Sequence, residues 1–147
     1  MNAEQNLAIR PMKAEDVEQV FEIYRSLAGE ERTIINADLI VAGVGGVLDL
    51  SLVAGVGSEV VGFILARHTY VGEPAVEAGL IQGLGVRPLH QRQGVARRLV
   101  NALIESSRSK GIKTLRVMLS ERDSKLERFF TTVNFHRAKL VIYDMTL

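Results

Sequence analysis

Cysteine is absent from this chain of 147 residues. Its absence excludes disulfide bonds, thiolate metal ligands and a thiol nucleophile, and it agrees with a reducing compartment such as the cytoplasm. An excess of charge of one sign is also lacking, because 18 lysine and arginine residues stand against 17 aspartate and glutamate residues. Nucleic-acid-binding domains are usually markedly basic, so we expect no nucleic-acid partner.

Long apolar runs are missing as well. No run reaches the roughly 18 residues that a membrane span requires, and the N-terminal stretch has no signal-peptide core. We therefore expect a cytoplasmic protein with no membrane partner. The composition, 47% hydrophobic and 24% charged residues, is that of an ordinary globular protein. This length predicts a single domain over residues 1–147.

The hydrophobic periodicity predicts a mixed sequence of strands and helices. The expected order is a strand (LAIRPM), a helix from Ala14 ended by Gly29, a helix (TIINADLIVAG), a hairpin (LDLSLVA and EVVGFILARHTYV), a loop (GEPAVEA), a fourth strand (GLIQGLGV), a helix from Pro88 to Gly111, a strand (TLRVML), a helix around Leu126–Val133 behind a capping box at Ser124, and one or two closing strands (RAKLVIYDMTL). This order predicts an α/β fold of the mixed-sheet α+β kind, with helices on both faces. The fourth strand, the following helix and TLRVML form a predicted β-α-β crossover with parallel strands.

The helix after Pro88 begins in an unusual way. Its first turn lies in HQRQGVARRL and contains Gly94, although glycine there costs about 0.5–1 kcal/mol relative to alanine. Helix N-termini expose unpaired N–H groups at the positive end of the dipole and bind phosphate. Small residues at Gly94 and Ala96 would let a phosphate reach the backbone, with arginine charge nearby. The alternative is that Gly94 lets the helix pack closely on a strand.

Three segments together resemble the GNAT superfamily of N-acetyltransferases. They are Gln91-x-x-Gly94-x-Ala96 preceded by LGVRP, the segment FFTTVNF, and the opening IRPMKAEDVEQV. The resemblance covers nearly the whole chain in the family's order. It implies a twisted central sheet splayed at a bulge in the fourth strand. It also implies acetyl-CoA as co-substrate and direct transfer of the acetyl group to a primary amine in a ternary complex.

The resemblance also implies where acetyl-CoA binds. The backbone from Arg92 to Ala96 would hold the pyrophosphate, and Leu84–Val86 would pair with the pantetheine arm. A bulge at Gly85 would open a slot for that arm, with a backbone N–H such as that of Gly85 stabilising the oxyanion; the alternative for Gly83 and Gly85 is tight packing under a helix. The expected cofactor contacts are Leu84, Gly85, Val86, Gln91, Arg92, Gln93, Gly94, Val95, Ala96, Arg97, Asp123 and Phe130, of which Asp123 has helix capping as its alternative role.

Two positions depart from the family pattern. Gln82 stands where a carboxylate general base often occurs, and Phe130 stands where a tyrosine often protonates the departing thiolate. Gln82 can still position a water, and a thiol with a pKa of about 8.5 is a fair leaving group. The catalytic residues stay open, with Gln82, Glu77 and Tyr143 as candidates, besides His68, Tyr70 and Glu121, and no metal is expected.

The acceptor is open at this stage, since a small-molecule amine and a protein or peptide amine both fit. The segments AGEERTIINADLIVAGVGGV and TYVGEPAVEA are expected to shape its site. A homodimer through the strand-rich C-terminus is a further expectation. Because of Phe130 and Gln82, the alternative function is a non-catalytic acyl-CoA-binding or regulatory module of the same fold.

Overall fold

The computed structural model describes residues 6–27, 37–71 and 75–147. Within these ranges, five strands and four α-helices follow one another in the predicted order, apart from the closing strands. They are β1 (Leu7–Pro11), α1 (Val17–Leu27), α2 (Ala37–Gly43), β2 (Leu52–Val56), β3 (Glu59–Val71), β4 (Val76–Val86), α3 (Val95–Ser109), β5 (Leu115–Val117) and α4 (Ser124–Thr132), with short 3-10 turns at Ala14–Asp16 and Pro88–His90. Gly29, expected to end α1, and residues 33–36 of the second predicted helix lie outside the described residues.

One sheet contains all five strands in the order β1-β2-β3-β4-β5. The first four strands pair antiparallel, whereas β4 and β5 are parallel and joined through α3, as predicted for the crossover. β4 begins at Val76, inside the expected loop GEPAVEA, because Val76 and Glu77 pair with the far end of β3. The mixed sheet and its predicted parallel pair are confirmed.

Helices cover both faces of the sheet. On the α1 face, Val20 and Ile23 of α1 pack on Phe63 and Leu65 of β3. On the opposite α3 face, α3 and α4 pack on the alternate side chains of the same strands, including Ile64 and Ala66 of β3 and Ile81 of β4. Side chains alternate between the faces along each strand, so both faces carry a core. In the described part of the chain, no helix is both long and apolar enough for a transmembrane span.

A buried carboxylate fixes the turn between β1 and α1. Asp16 accepts two hydrogen bonds from the Arg10 guanidinium, at 2.7 and 2.8 Å, and one from the Lys13 backbone N–H at 2.8 Å. The Arg10 guanidinium beside Asp16 holds the pKa of that carboxyl below its ordinary value. The paired carboxylate thereby ties the turn before α1 to Arg10 of β1.

Two expectations near the C-terminus are wrong. Residues 136–147 form no strand, although they alternate in the manner of one, because a strand exists only where a neighbour pairs with its backbone. Their large apolar side chains are instead exposed to solvent: Leu140, Val141, Ile142, Tyr143, Met145 and Leu147. The second correction concerns α4, whose N-cap is Asp123 and not Ser124, since the Asp123 carboxylate accepts from the Leu126 N–H at 3.1 Å.

Candidate functional site

The predicted bulge in β4 exists, but it lies at Gln82 rather than at Gly85. Leu65 pairs with Gly83 and the next residue of β3 pairs with Ile81, so Gln82 is the extra residue on β4. Gly85 instead stays in register with Phe63. A Cβ on Gly85 would lie 2.8 Å from atoms of both Leu27 and Phe63, so close packing under α1 accounts for this glycine.

Beyond the bulge, β4 and β5 separate. β5 pairs with β4 only from Gly79 to Ile81, so the stretch from Gln82 to Val86 has no strand neighbour on that side among the described residues. We call this stretch the open edge of β4. In the described part of the chain its outward backbone groups have no strand partner, which is the arrangement that an extended ligand with amide groups can complete.

The direction of the backbone groups along the open edge follows from one hydrogen bond. The Arg87 N–H donates to the Val61 carbonyl on β3 at 2.7 Å. Because bonding toward one neighbour alternates along an antiparallel strand, Gly85 also turns its N–H toward β3, and Leu84 and Val86 face the open side. Gln91 agrees with this, since its Nε2 donates to the Val86 carbonyl at 3.1 Å. The expected oxyanion donor, the Gly85 N–H, therefore faces away from the opening.

The start of α3 lies a few residues beyond this edge and is built to leave N–H groups free. Gly94 is the N-cap, with φ of +80° and no side-chain cap. The first helical bond runs from the Arg98 N–H to the Gly94 carbonyl at 3.0 Å, so the N–H groups of Val95, Ala96 and Arg97 have no acceptor within the helix. A Cβ on Gly94 would meet no described atom within 4 Å, so close packing of the helix does not explain this glycine.

Backbone conformation and charge add to the same site. Arg92 also has a positive φ, +62°, and left-handed residues in such turns orient successive N–H groups into anion-binding concavities. Arg92 and Arg97 are exposed beside this turn, whereas Arg98 donates to the Leu7 carbonyl of β1 at 3.1 Å. The turn and the first helical residues thus form a cationic N–H cradle at the end of the open edge. Its free N–H groups and the open space at Gly94 fit a phosphate group.

Asp123 and Phe130 have structural roles in α4. Asp123 caps the helix, as described above, which confirms its alternative role. Phe130 is only 3% exposed, and its ring packs edge-to-face against Phe129 and Phe135 at centroid distances of 5.2 and 5.1 Å. A phenyl ring in this position can neither donate nor accept a catalytic proton.

The candidate catalytic residues lie in three separate places. His68 Nε2 and Glu77 Oε1 are joined by a hydrogen bond of 2.5 Å, and Tyr70 is the register partner of Glu77 across the strands. This group lies toward the tip of the β3–β4 hairpin. Tyr143 is 91% exposed in the segment that forms no strand. Gln82 is exposed on the bulge itself, and among the candidates it is the residue beside the opening.

Sequence reasoning did not single out two arginines that the sheet brings together. Arg67 on β3 and Arg116 on β5 are both register partners of Leu80 on β4. Register partners share a face, and Arg67 follows Leu65 by two residues, so the row Arg67–Leu80–Arg116 lies on the α1 face. Only strand pairing reveals it, because the three residues are far apart in sequence. No group of acidic and histidine side chains within the described ranges could hold a metal ion.

Comparison with solved structures shows the same fold. An aminoglycoside acetyltransferase from an uncultured soil metagenomic sample, in complex with sisomicin, is 17% identical with a TM-score of 0.81 over 99% of each chain. A ribosomal-protein-alanine N-acetyltransferase from Brucella melitensis biovar Abortus 2308 is 17% identical with a TM-score of 0.74, over 96% of this chain and 99% of its own. An aminoglycoside N-acetyltransferase in complex with CoA is 20% identical with a TM-score of 0.77, over 95% and 94%.

Comparison with curated protein sequences gives no significant match. At these identities the structural neighbours show the fold alone. The acetyltransferase (GNAT) family model, however, matches residues 17–135. This range takes in α1, the open edge, the cradle and α4. The chain therefore belongs to the GNAT acetyltransferase family.

Proposed function

We propose that this protein is an N-acetyltransferase that moves an acetyl group from acetyl-CoA to a primary amine in a ternary complex, acting as a single domain over residues 1–147. One observation carries the proposal: the open edge of β4 leads directly into the N–H cradle of α3. An extended amide-containing arm and a pyrophosphate are joined in the same order in CoA. The structure of a neighbour in complex with CoA supports this reading.

The chain's own groups have distinct tasks in this proposal. The N–H groups of Val95–Arg97 and the turn from Gln91 to Gly94 bind the pyrophosphate, with Arg92 and Arg97 supplying charge. The Leu84 carbonyl and the Val86 N–H, both on the open side, pair with the pantetheine arm. Asp123 and Phe130 are left out, since capping and core packing occupy their side chains.

The chemistry is acyl transfer from a thioester. The neutral amine nitrogen attacks the carbonyl carbon, a C–N bond forms, the C–S bond breaks, and the amine's proton passes to water. We assign the oxyanion donor to the Leu84 N–H, because Gly85 faces β3. Gln82, exposed at the bulge, positions the water that accepts the proton, and the thiolate leaves without an acid at Phe130, since its pKa is about 8.5.

The proposal extends to the acceptor, the cellular location and the oligomeric state. The names of the neighbours point to aminoglycosides and to a ribosomal protein as acceptors of those enzymes, so small-molecule and peptide amines both stay in view. We propose a cytoplasmic location and a homodimer. The support for the dimer is the exposed apolar segment 136–147 together with β5, the terminal strand of the sheet.

Release of free thiol from acetyl-CoA tests the activity. We expect turnover with at least one amine in a panel of small amines, amino acids and peptides. The second candidate function, a non-catalytic acyl-CoA-binding module, is favoured by the burial of Phe130. Silence across the panel, with calorimetric binding of acetyl-CoA intact and turnover appearing in Phe130→Tyr, would establish that second function and exclude the first.

A further inference from the structure

The α1 face is the side from which an acceptor can reach the closed end of the opening. β4 and β5 are joined up to Ile81 and Val117, and on the α3 face both residues are packed in the core cluster under α3 and α4. On the α1 face, α1 covers Gly85 but leaves Gln82 exposed and Leu80 half-exposed. An amine that approaches the thioester therefore passes over Leu80.

Leu80 is flanked by positive charge on both neighbouring strands. Arg67 is exposed on one side and Arg116 is half-buried on the other. Adjacent strands lie about 4.8 Å apart, so the long Arg67 side chain can reach a group bound above Leu80, beside the further positive charge of Arg116.

The acidic residue that bridges to Arg67 along the backbone forms no ion pair with it. Asp49 forms an isolated bridge with Arg67, but its two carboxylate oxygens accept from the N–H groups of Gly45 and Ser51, each at 3.0 Å. In the described part of the chain, the Arg67 side chain has no hydrogen bond or ion pair. An exposed, unpaired guanidinium at the entrance of a site is a donor for carboxylate or phosphate oxygens.

We propose that the acceptor amine carries an anionic group, a carboxylate or a phosphate, which Arg67 binds above Leu80. The inference rests on the proposed acetyl transfer and names its substrate class. Leu80 precedes Leu84, the proposed oxyanion donor, by about 13 Å of strand, so the anionic group and the amine are several bonds apart. Amine-rich acceptors, such as the aminoglycosides of the structural neighbours, would be repelled by the Arg67 guanidinium.

Acceptors of equal chain length that differ only at the far end test the proposal. We would compare an alkylamine, an ω-aminocarboxylate, an ω-aminoalkyl phosphate and an α,ω-diamine. The expected order of kcat/KM places one anionic acceptor about tenfold or more above the alkylamine, with the diamine lowest. The two anionic arms distinguish carboxylate from phosphate. In Arg67→Gln the preference collapses, while the KM for acetyl-CoA stays unchanged.

Arg108→Gln is the matched control. Arg108 is exposed on α3 and pairs with Glu105 at 3.1 Å, so its replacement removes the same charge away from the α1 face and should keep the preference. Calorimetric titration of the same four compounds decides the matter even if no acetyl group is transferred. Binding of an anionic member that is lost in Arg67→Gln supports the inference, and silence in transfer then counts against the proposed function alone. Equal binding of all four compounds, or an unchanged preference in Arg67→Gln, overturns it.

Discussion

Two glycines flank α3 with nearly the same backbone conformation, φ of +80° at Gly94 and +78° at Gly111. Neither has a described atom within 4 Å of where a Cβ would stand. Any L-residue therefore costs about 1–2 kcal/mol of left-handed strain at either position. Gly111 lies at the C-terminal end, where it ends the helix as its sequence position predicts.

The similar conformations of Gly94 and Gly111 give a controlled test of the cradle. Gly94→Glu and Gly111→Glu should lower the free energy of unfolding by similar amounts, but only Gly94→Glu should lose acetyl-CoA affinity, by at least about tenfold, because its carboxylate would face the pyrophosphate. Thermal unfolding and calorimetric titration measure the two effects separately. Equal acetyl-CoA affinities in the two variants would contradict the assignment of the cradle.

At the same scale, the sequence located Gly94 correctly but misplaced the bulge. Glycine in a strand suggests irregular backbone, and Gly85 was the obvious candidate. The register shift at Gln82 depends on how β4 pairs with Leu65 and Ala66 of β3, which local composition does not reveal. Gly85 is instead required because Leu27 and Phe63, two residues distant in sequence, leave no room for a Cβ.

At the scale of the elements, α4 allows a test of whether Asp123 caps the helix or contacts the cofactor. Asp123→Ala should destabilise the protein by about 1 kcal/mol, since it removes the cap of the Leu126 N–H. Asp123→Asn keeps a capping oxygen and should recover most of that loss. Both variants should bind acetyl-CoA as the unmodified protein does, and a loss of affinity in both would show that Asp123 contacts the cofactor after all.

The order of elements was predictable because each helix and strand carries its own hydrophobic period, as in Val20 and Ile23 of α1. The closing strands could not be predicted in this way. Apolar alternation in residues 136–147 shows that the segment is compatible with a strand, but it does not show whether a neighbouring strand is present to pair with it. The row Arg67–Leu80–Arg116 is not predictable from the sequence for the same reason, since it forms only where β3, β4 and β5 pair.

For the whole molecule, the proposed homodimer depends on the exposed C-terminal segment, residues 136–147. If the backbone of this segment pairs with β5, the terminal strand of the described sheet, in a second copy and buries its apolar side chains, sedimentation should give twice the monomer mass. Val141→Lys combined with Tyr143→Lys should then give the monomer, because buried lysine ammonium groups would be unpaired. Val47→Lys, at another highly exposed apolar residue, should leave the mass unchanged. A monomer in the unmodified protein would contradict the proposed dimer.

The three residue pairs that hold β5 to β4 make the sheet only partly continuous. A ligand arm lying along the open edge would fill the gap between β4 and β5. It would bind the folded chain and not the unfolded chain. Such binding adds RT ln(1 + [L]/Kd) to the free energy of unfolding, about 2.7 kcal/mol at a hundredfold excess over Kd. The supply of cofactor in the cell would then govern the lifetime of the protein against proteolysis as well as its rate of turnover.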